Sequence, residues 1–128
     1  MAHDGSEILF GKRQTPLLMK TLDDMASEVN TKIRKRGISK GFVCVQEDFN
    51  RQILQCHKNI YSASVEKIPN KRIGYIENCQ KGIKMIWIDI RYLLTQKALT
   101  VGEIGVLSKM AKDAEKQLYA WHKETYKS

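Results

Sequence analysis

Between Val29 and Gln46 the chain carries no acid, while Lys32, Arg34, Lys35, Arg36 and Lys40 set five cations there. Clustered ammonium and guanidinium groups bind phosphates by releasing condensed counterions, so this stretch is a candidate polyanion site. Cations near a helix C-terminus also complement its dipole, and one or two are enough for that. A second concentration follows: Lys67, Lys71, Arg72, Lys81, Lys84, Arg91 and Lys97 face only Glu77 and Asp89 in the same stretch. At 100° per residue Lys84 and Arg91 fall on one flank of an apolar stripe centred on Ile83 and Ile90, with Lys81 further towards solvent. Such side chains can also lie with their stems on apolar surface and their heads in water, so a solvated face is the competing reading.

Other chemistry finds little support. His3, His57 and His122 are far apart, and none has a second ligand at helical spacing, so no metal site is expected. Glu47, Asp48 and Asp89 are lone acids, no nucleophile has a base at a telling spacing, and the Glu-x-x-His pairs of carboxylate-bridged metal bundles are missing. The chain is therefore expected not to be an enzyme and to need no cofactor. Trp87 and Trp121 could stack on bases, but each lies on or beside a core stripe, which favours packing. Cys44, Cys56 and Cys79 cannot all pair and show no C-x-x-C spacing, so they are expected to be reduced and mostly in the core.

The elements that must carry these residues follow from periodicity. The chain has 128 residues, 42% apolar and 28% charged, enough for one core. Its net charge of +8 attracts polyanions before any specific contact forms. Apolar runs such as residues 85–88 are far shorter than a membrane span, and Asp4 and Glu7 replace the basic start of a secretory signal, so a cytoplasmic protein is expected.

Leu18, Leu22, Met25, Val29 and Ile33 alternate by four and three, and Thr15, Pro16 and Gly37 suit a cap, a first turn and a C-terminal stop. They predict a helix over 16–36, leaving residues 1–14 as an N-terminal segment outside the pattern that can be flexible. Val45, Phe49, Ile53, Cys56, Ile60 and Ala63 predict a second helix over 43–64. Ile76, Cys79, Ile83, Ile86, Ile90 and Leu93 predict a third over 69–95, with Pro69 in its first turn. Thr100 and Glu103 fit a capping box, and Ile104, Leu107, Ala111, Ala114, Leu118 and Trp121 carry a fourth over 101–125. Short connections make neighbours antiparallel, so the expected fold is an all-α, up-down-up-down four-helix bundle in one domain.

Residues 86–93, Ile-Trp-Ile-Asp-Ile-Arg-Tyr-Leu, lead through Lys97, Ala98, Leu99 and Thr100 to a helix ending Leu118, Tyr119, Ala120 and Trp121. Over residues 70–123 this run resembles the accessory variability determinant (Avd) proteins of diversity-generating retroelements. That resemblance implies a four-helix bundle assembled as a homopentameric ring, with a basic surface that binds a reverse transcriptase and RNA or DNA, and no catalysis by this chain. Of the family's contact residues only Arg91 is carried over; Trp87 stands where a second Arg is expected one turn earlier, and residues 115–118, Glu-Lys-Gln-Leu, replace a Gly-rich approach to the Trp.

Two functions remain open at this stage. One is an accessory factor that supports mutagenic retrohoming by binding the reverse transcriptase and nucleic acid through Lys32, Arg34, Lys35, Arg36, Lys40, Lys81, Lys84 and Arg91. The other is a bundle of the type encoded in ribosomal RNA insertions, contacting RNA without such a partner.

Overall fold

In the computed structural model the chain is an all-α, up-down-up-down four-helix bundle: α1 (Ala2–Arg36), α2 (Lys40–Val65), α3 (Pro69–Thr95) and α4 (Val101–Tyr126). The structure describes residues 2–36 and 40–127, and side chains over 15–35 and 42–127. Each helix lies against its two neighbours in the order α1, α2, α3, α4 and back to α1, and among the described residues the backbones of the diagonal pairs stay apart. The side-chain pairs that cross the seams fix the directions. Asp23 meets His57 and Asn30 meets Asn50, Cys56 meets Cys79, Glu77 meets His122 and Trp87 meets Glu115. One number rises as the other falls along the α1–α2 and α3–α4 seams, and Asp48 beside Asp89 with Cys56 beside Cys79 gives α2–α3 the same sense, which is antiparallel packing.

The predicted stripes are the core, except that Val45 and Ile104 are half-buried against its edge. Leu18, Leu22, Met25, Val29 and Ile33 of α1 share one core with Phe49, Ile53, Cys56 and Ile60 of α2, the whole predicted stripe of α3, and Leu107, Ala111, Ala114, Leu118 and Trp121 of α4. Fully burying each of the larger apolar side chains stabilises the fold by roughly 1.5–3 kcal/mol. No helix among the described residues is long and apolar enough to cross a membrane.

Two helix starts differ from expectation: α2 begins at Lys40, three residues early, and the larger difference is in α1. α1 begins at Ala2, so Thr15 and Pro16 lie inside it and residues 2–14 belong to the helix. A cap residue and a proline mark where a helix can start; a proline inside a helix loses one N–H bond and crowds the carbonyl four residues back, which costs stability but does not oblige a helix arriving from upstream to stop there. The expected stop at Gly37 falls outside the described residues.

The α2–α3 connection is held by Arg72. Its side chain is only 5% exposed, and Nε donates to the carbonyls of Ala63 (3.3 Å) and Glu66 (3.0 Å), with Nη2 also on Glu66. Those carbonyls have no intrahelical donor at the end of α2, so Arg72 acts as a C-terminal cap supplied by the next helix. α3 then opens with Pro69 in its first turn and no side-chain cap on Ile68.

The α3–α4 connection is tighter. Lys97 adopts φ 60°, its N–H bonds to Leu94, and the N–H of Ala98 bonds to Leu93 at 2.8 Å. This is a Schellman ending with lysine in the left-handed position that glycine usually takes. Ala98 and Leu99 are buried behind it, and Thr100 and Glu103 then form the capping box: Glu103 N–H to Thr100 Oγ1 at 3.2 Å, Thr100 N–H to Glu103 Oε1 at 2.8 Å.

Candidate nucleic-acid interface

Lys84 and Arg91 occur seven residues apart, two turns of α3, so the helix repeat stacks them on one flank. Both are exposed, as is Lys81, and none of the three is paired with an acid among the described residues. Their flank is the one turned to α4. One turn beyond Lys84 towards the core, Trp87 is half-buried and its Nε1 donates to Glu115 Oε1 of α4 at 3.2 Å. On the same seam Glu77 accepts from, or pairs with, His122 Nε2 at 3.1 Å. A shallow groove of about 320 Å³ lies between the helices, lined by Gln80, Lys84, Glu115 and Tyr119.

α4 adds cations that its overall balance of charge conceals. Lys112, Lys116, Tyr119 and Lys123 recur at steps of four, three and four, and all are exposed. Helical phase puts them towards the α3 side or the outer face, whereas Asp113, Gln117 and Glu124 fall on the α1 side. The seam and the outer faces that flank it therefore gather Lys81, Lys84 and Arg91 from α3 with Lys112 and Lys116 from α4. Of its acids, Glu77 and Glu115 are already engaged. Charges left without partners in the free protein can meet phosphates without first breaking an ion pair, and each such contact releases a counterion.

The cations of the first helix stand elsewhere. Arg34 and Lys35 are exposed and Lys32 is half-buried beside Glu28, 3.9 Å away. Asn30 is level with Asn50 and Gln46 of α2, and Asp48 of α2 with Asp89 of α3, so residues 32–35 sit at about the height of Arg91. But α1 and α3 stand diagonally across the bundle, so their outer faces, and with them the two groups of cations, are on opposite sides. The side chains of Arg36 and Lys40 lie outside the described residues. Arg72, counted from sequence among the cations of α3, is the buried cap of α2 and is not part of the surface.

The remaining candidates resolve as packing or as seam polarity. Trp121 is core. Cys56 and Cys79 are buried face to face, each thiol directed at the other's carbonyl (3.7 and 3.9 Å), while Cys44 is exposed. The hydrogen bond with Cys56, and then burial, push the Cys79 thiol far above its ordinary range, which keeps it protonated and unreactive. Asp89 is 9% exposed, and its Oδ2 is buried without a partner among the described residues. Burial pushes its carboxyl up to about 7, helped by a hydrogen bond and charge from Asp48 and opposed by Arg51. Among the described residues no three His, Cys, Asp or Glu side chains are grouped to hold a metal ion.

No protein-family model matches the chain, and neither a curated protein nor a solved structure matches it.

Proposed function

We propose that this chain is a non-catalytic accessory protein that binds nucleic acid on the α3–α4 face. The observation that carries this reading is the row of unpaired exposed cations, Lys81, Lys84 and Arg91, completed across the seam by Lys112 and Lys116. A net charge of +8 brings a polyanion to the surface, and these side chains give it a place to lie. The finer reading, service to a reverse transcriptase within a pentameric ring, rests on the resemblance of residues 70–123 to the Avd proteins. Exposed apolar side chains on the outer surfaces of two helices, Leu54 and Tyr61 of α2 and Ile88 and Tyr92 of α3, supply surface that subunit or partner contacts could cover.

The test is binding of a labelled RNA over a salt series, followed by co-expression with a reverse transcriptase of a diversity-generating retroelement. Affinity should fall by orders of magnitude between low and moderate salt. Charge reversal at Lys84 and Arg91 should flatten that dependence. Failure to bind at low salt removes the nucleic-acid reading; binding without co-purification leaves an RNA-interaction bundle with no reverse-transcriptase partner.

A further inference from the structure

Beyond the cations, the same face carries a group of rings that packing does not need. Tyr119 is 65% exposed and Tyr126 is 75% exposed. His122 lies between them in sequence, its ring stacked on Tyr126 with centroids 6.1 Å apart and planes 16° from parallel. The spacing of three and four residues keeps all three on one side of α4. A concavity of about 290 Å³ is lined by these rings with Lys123 and Lys127. Its neighbour, the groove lined by Lys84 and Glu115, shares Tyr119 as a common wall.

Exposed tyrosines cost solubility and gain nothing in the core, so their grouping here calls for a ligand with flat apolar faces. Their surroundings say which kind. Lys84, Lys123 and Lys127 border the rings and Lys116 lies one turn before Tyr119, while the acids of this seam are taken, Glu77 by His122 and Glu115 by Trp87. Flat apolar faces joined by negative charge describe unpaired nucleobases on a phosphate backbone. A duplex hides those faces within its own stack and offers only phosphates and groove edges. Along α4 the two tyrosines are about 10 Å apart at 1.5 Å per residue, room for a separate base on each.

We infer that the Tyr119–His122–Tyr126 shelf of α4 is a stacking platform for single-stranded nucleic acid, whose backbone runs on over Lys84 and Lys116. The inference rests on the nucleic-acid reading of the α3–α4 face and sharpens it from polyanion to unpaired strand. Two energetic contributions then separate. The lysines supply a salt-dependent attraction shared by single strands and duplexes, whereas the rings supply a salt-independent attraction that only unpaired bases receive.

The experiment compares an oligodeoxythymidylate of about 12 nucleotides, within the usual site size of stacking grooves, with a duplex of equal length. Wild type is set beside the double variants Tyr119→Ala with Tyr126→Ala, and Tyr119→Phe with Tyr126→Phe. The alanine pair should weaken single-strand binding about tenfold or more, leave duplex binding unchanged and keep the salt slope, and the phenylalanine pair should restore the loss. Both tyrosines are exposed, so circular dichroism should show the fold retained. A measurement on wild type needs no variant: a fluorescent aminopurine base set within the thymidine strand should be quenched on binding. If the alanine pair binds the single strand as wild type does, or loses duplex binding in parallel, or the aminopurine is not quenched, the platform is overturned while the basic face stands. If wild type binds neither nucleic acid at low salt, the face and the platform fall together.

Discussion

The two seams of α3 are built in opposite ways. Against α2 the helix presents small residues: Cys79 faces Cys56, and a Cβ on Gly82 would come within 2.7 Å of Cys56 Sγ. Against α4 it presents Gln80, Lys84 and Trp87 to Glu115 and Tyr119, and a groove remains. Close approach of backbones removes water and commits that side to holding the fold. Large polar side chains hold the helices apart at their outer edge, leaving charge and aromatic surface for something else. One helix thus divides stability from binding between its two flanks.

The largest effect that would break this division is expected at Gly82. Gly82→Val drives a branched side chain into Cys56 and should lower the unfolding free energy by about 2–3 kcal/mol in urea melts. Much of that loss should return in the background of Cys56→Ala, because residues in contact couple. A variant as stable as wild type would mean that the seam has slack.

A smaller effect separates the seams by pH. The folded Asp89 carboxyl titrates at about 7, against about 3.9 in an unfolded chain. The folded state therefore binds the extra proton between these values. Stability from this group is fully present below about pH 4 and is lost as pH rises through about 7. Asp89→Asn should raise stability at pH 8 by on the order of 1–2 kcal/mol, and the gain should vanish near pH 4. Thermal melts at the two pH values check it, and an equal shift at both would detach the effect from titration.

The smallest expected change in stability belongs to the open seam. Arg91→Ala should alter stability by less than about 0.5 kcal/mol, as exposed substitutions usually do. It should nonetheless weaken RNA binding several-fold and reduce the salt slope by about one. Comparing melting temperature with the slope of binding against salt distinguishes the two roles. A drop in melting temperature with binding intact would place Arg91 with the residues that hold the bundle.

How far this division was legible in sequence depends on the residue. The core stripes from Leu18 to Trp121 were, because a 3.6-residue repeat marks burial within each helix without reference to its neighbours. The capping box at Thr100 and Glu103 was, because both partners lie on one turn. Gly82 and Asp89 were not: they sit off the stripe of α3 and are buried only because α2 approaches there. Arg72 read as one cation among several, since the carbonyls it caps belong to the preceding helix. Lys112, Lys116 and Tyr119 were not legible, because the lysines and acids of α4 balance along the sequence and only helical phase sets Asp113 and Glu124 on the other flank. The start of α1 was misjudged for the converse reason, as Thr15 and Pro16 permit a beginning that the chain does not use.

The corner between α3 and α4 has a consequence for how such a groove would work. A Schellman ending, two buried residues and a capping box follow one another with hardly a free torsion between them. α3 and α4 are thereby locked in rotation as well as in separation, and the facing rows of lysine keep their register when nothing is bound. A ligand settling there has no backbone to organise, only the tips of long side chains. Preorganisation of this kind lowers the entropy lost on association. Amide hydrogens at Lys97 and Ala98 should accordingly exchange slowly in the free protein, as those of an already completed receptor would.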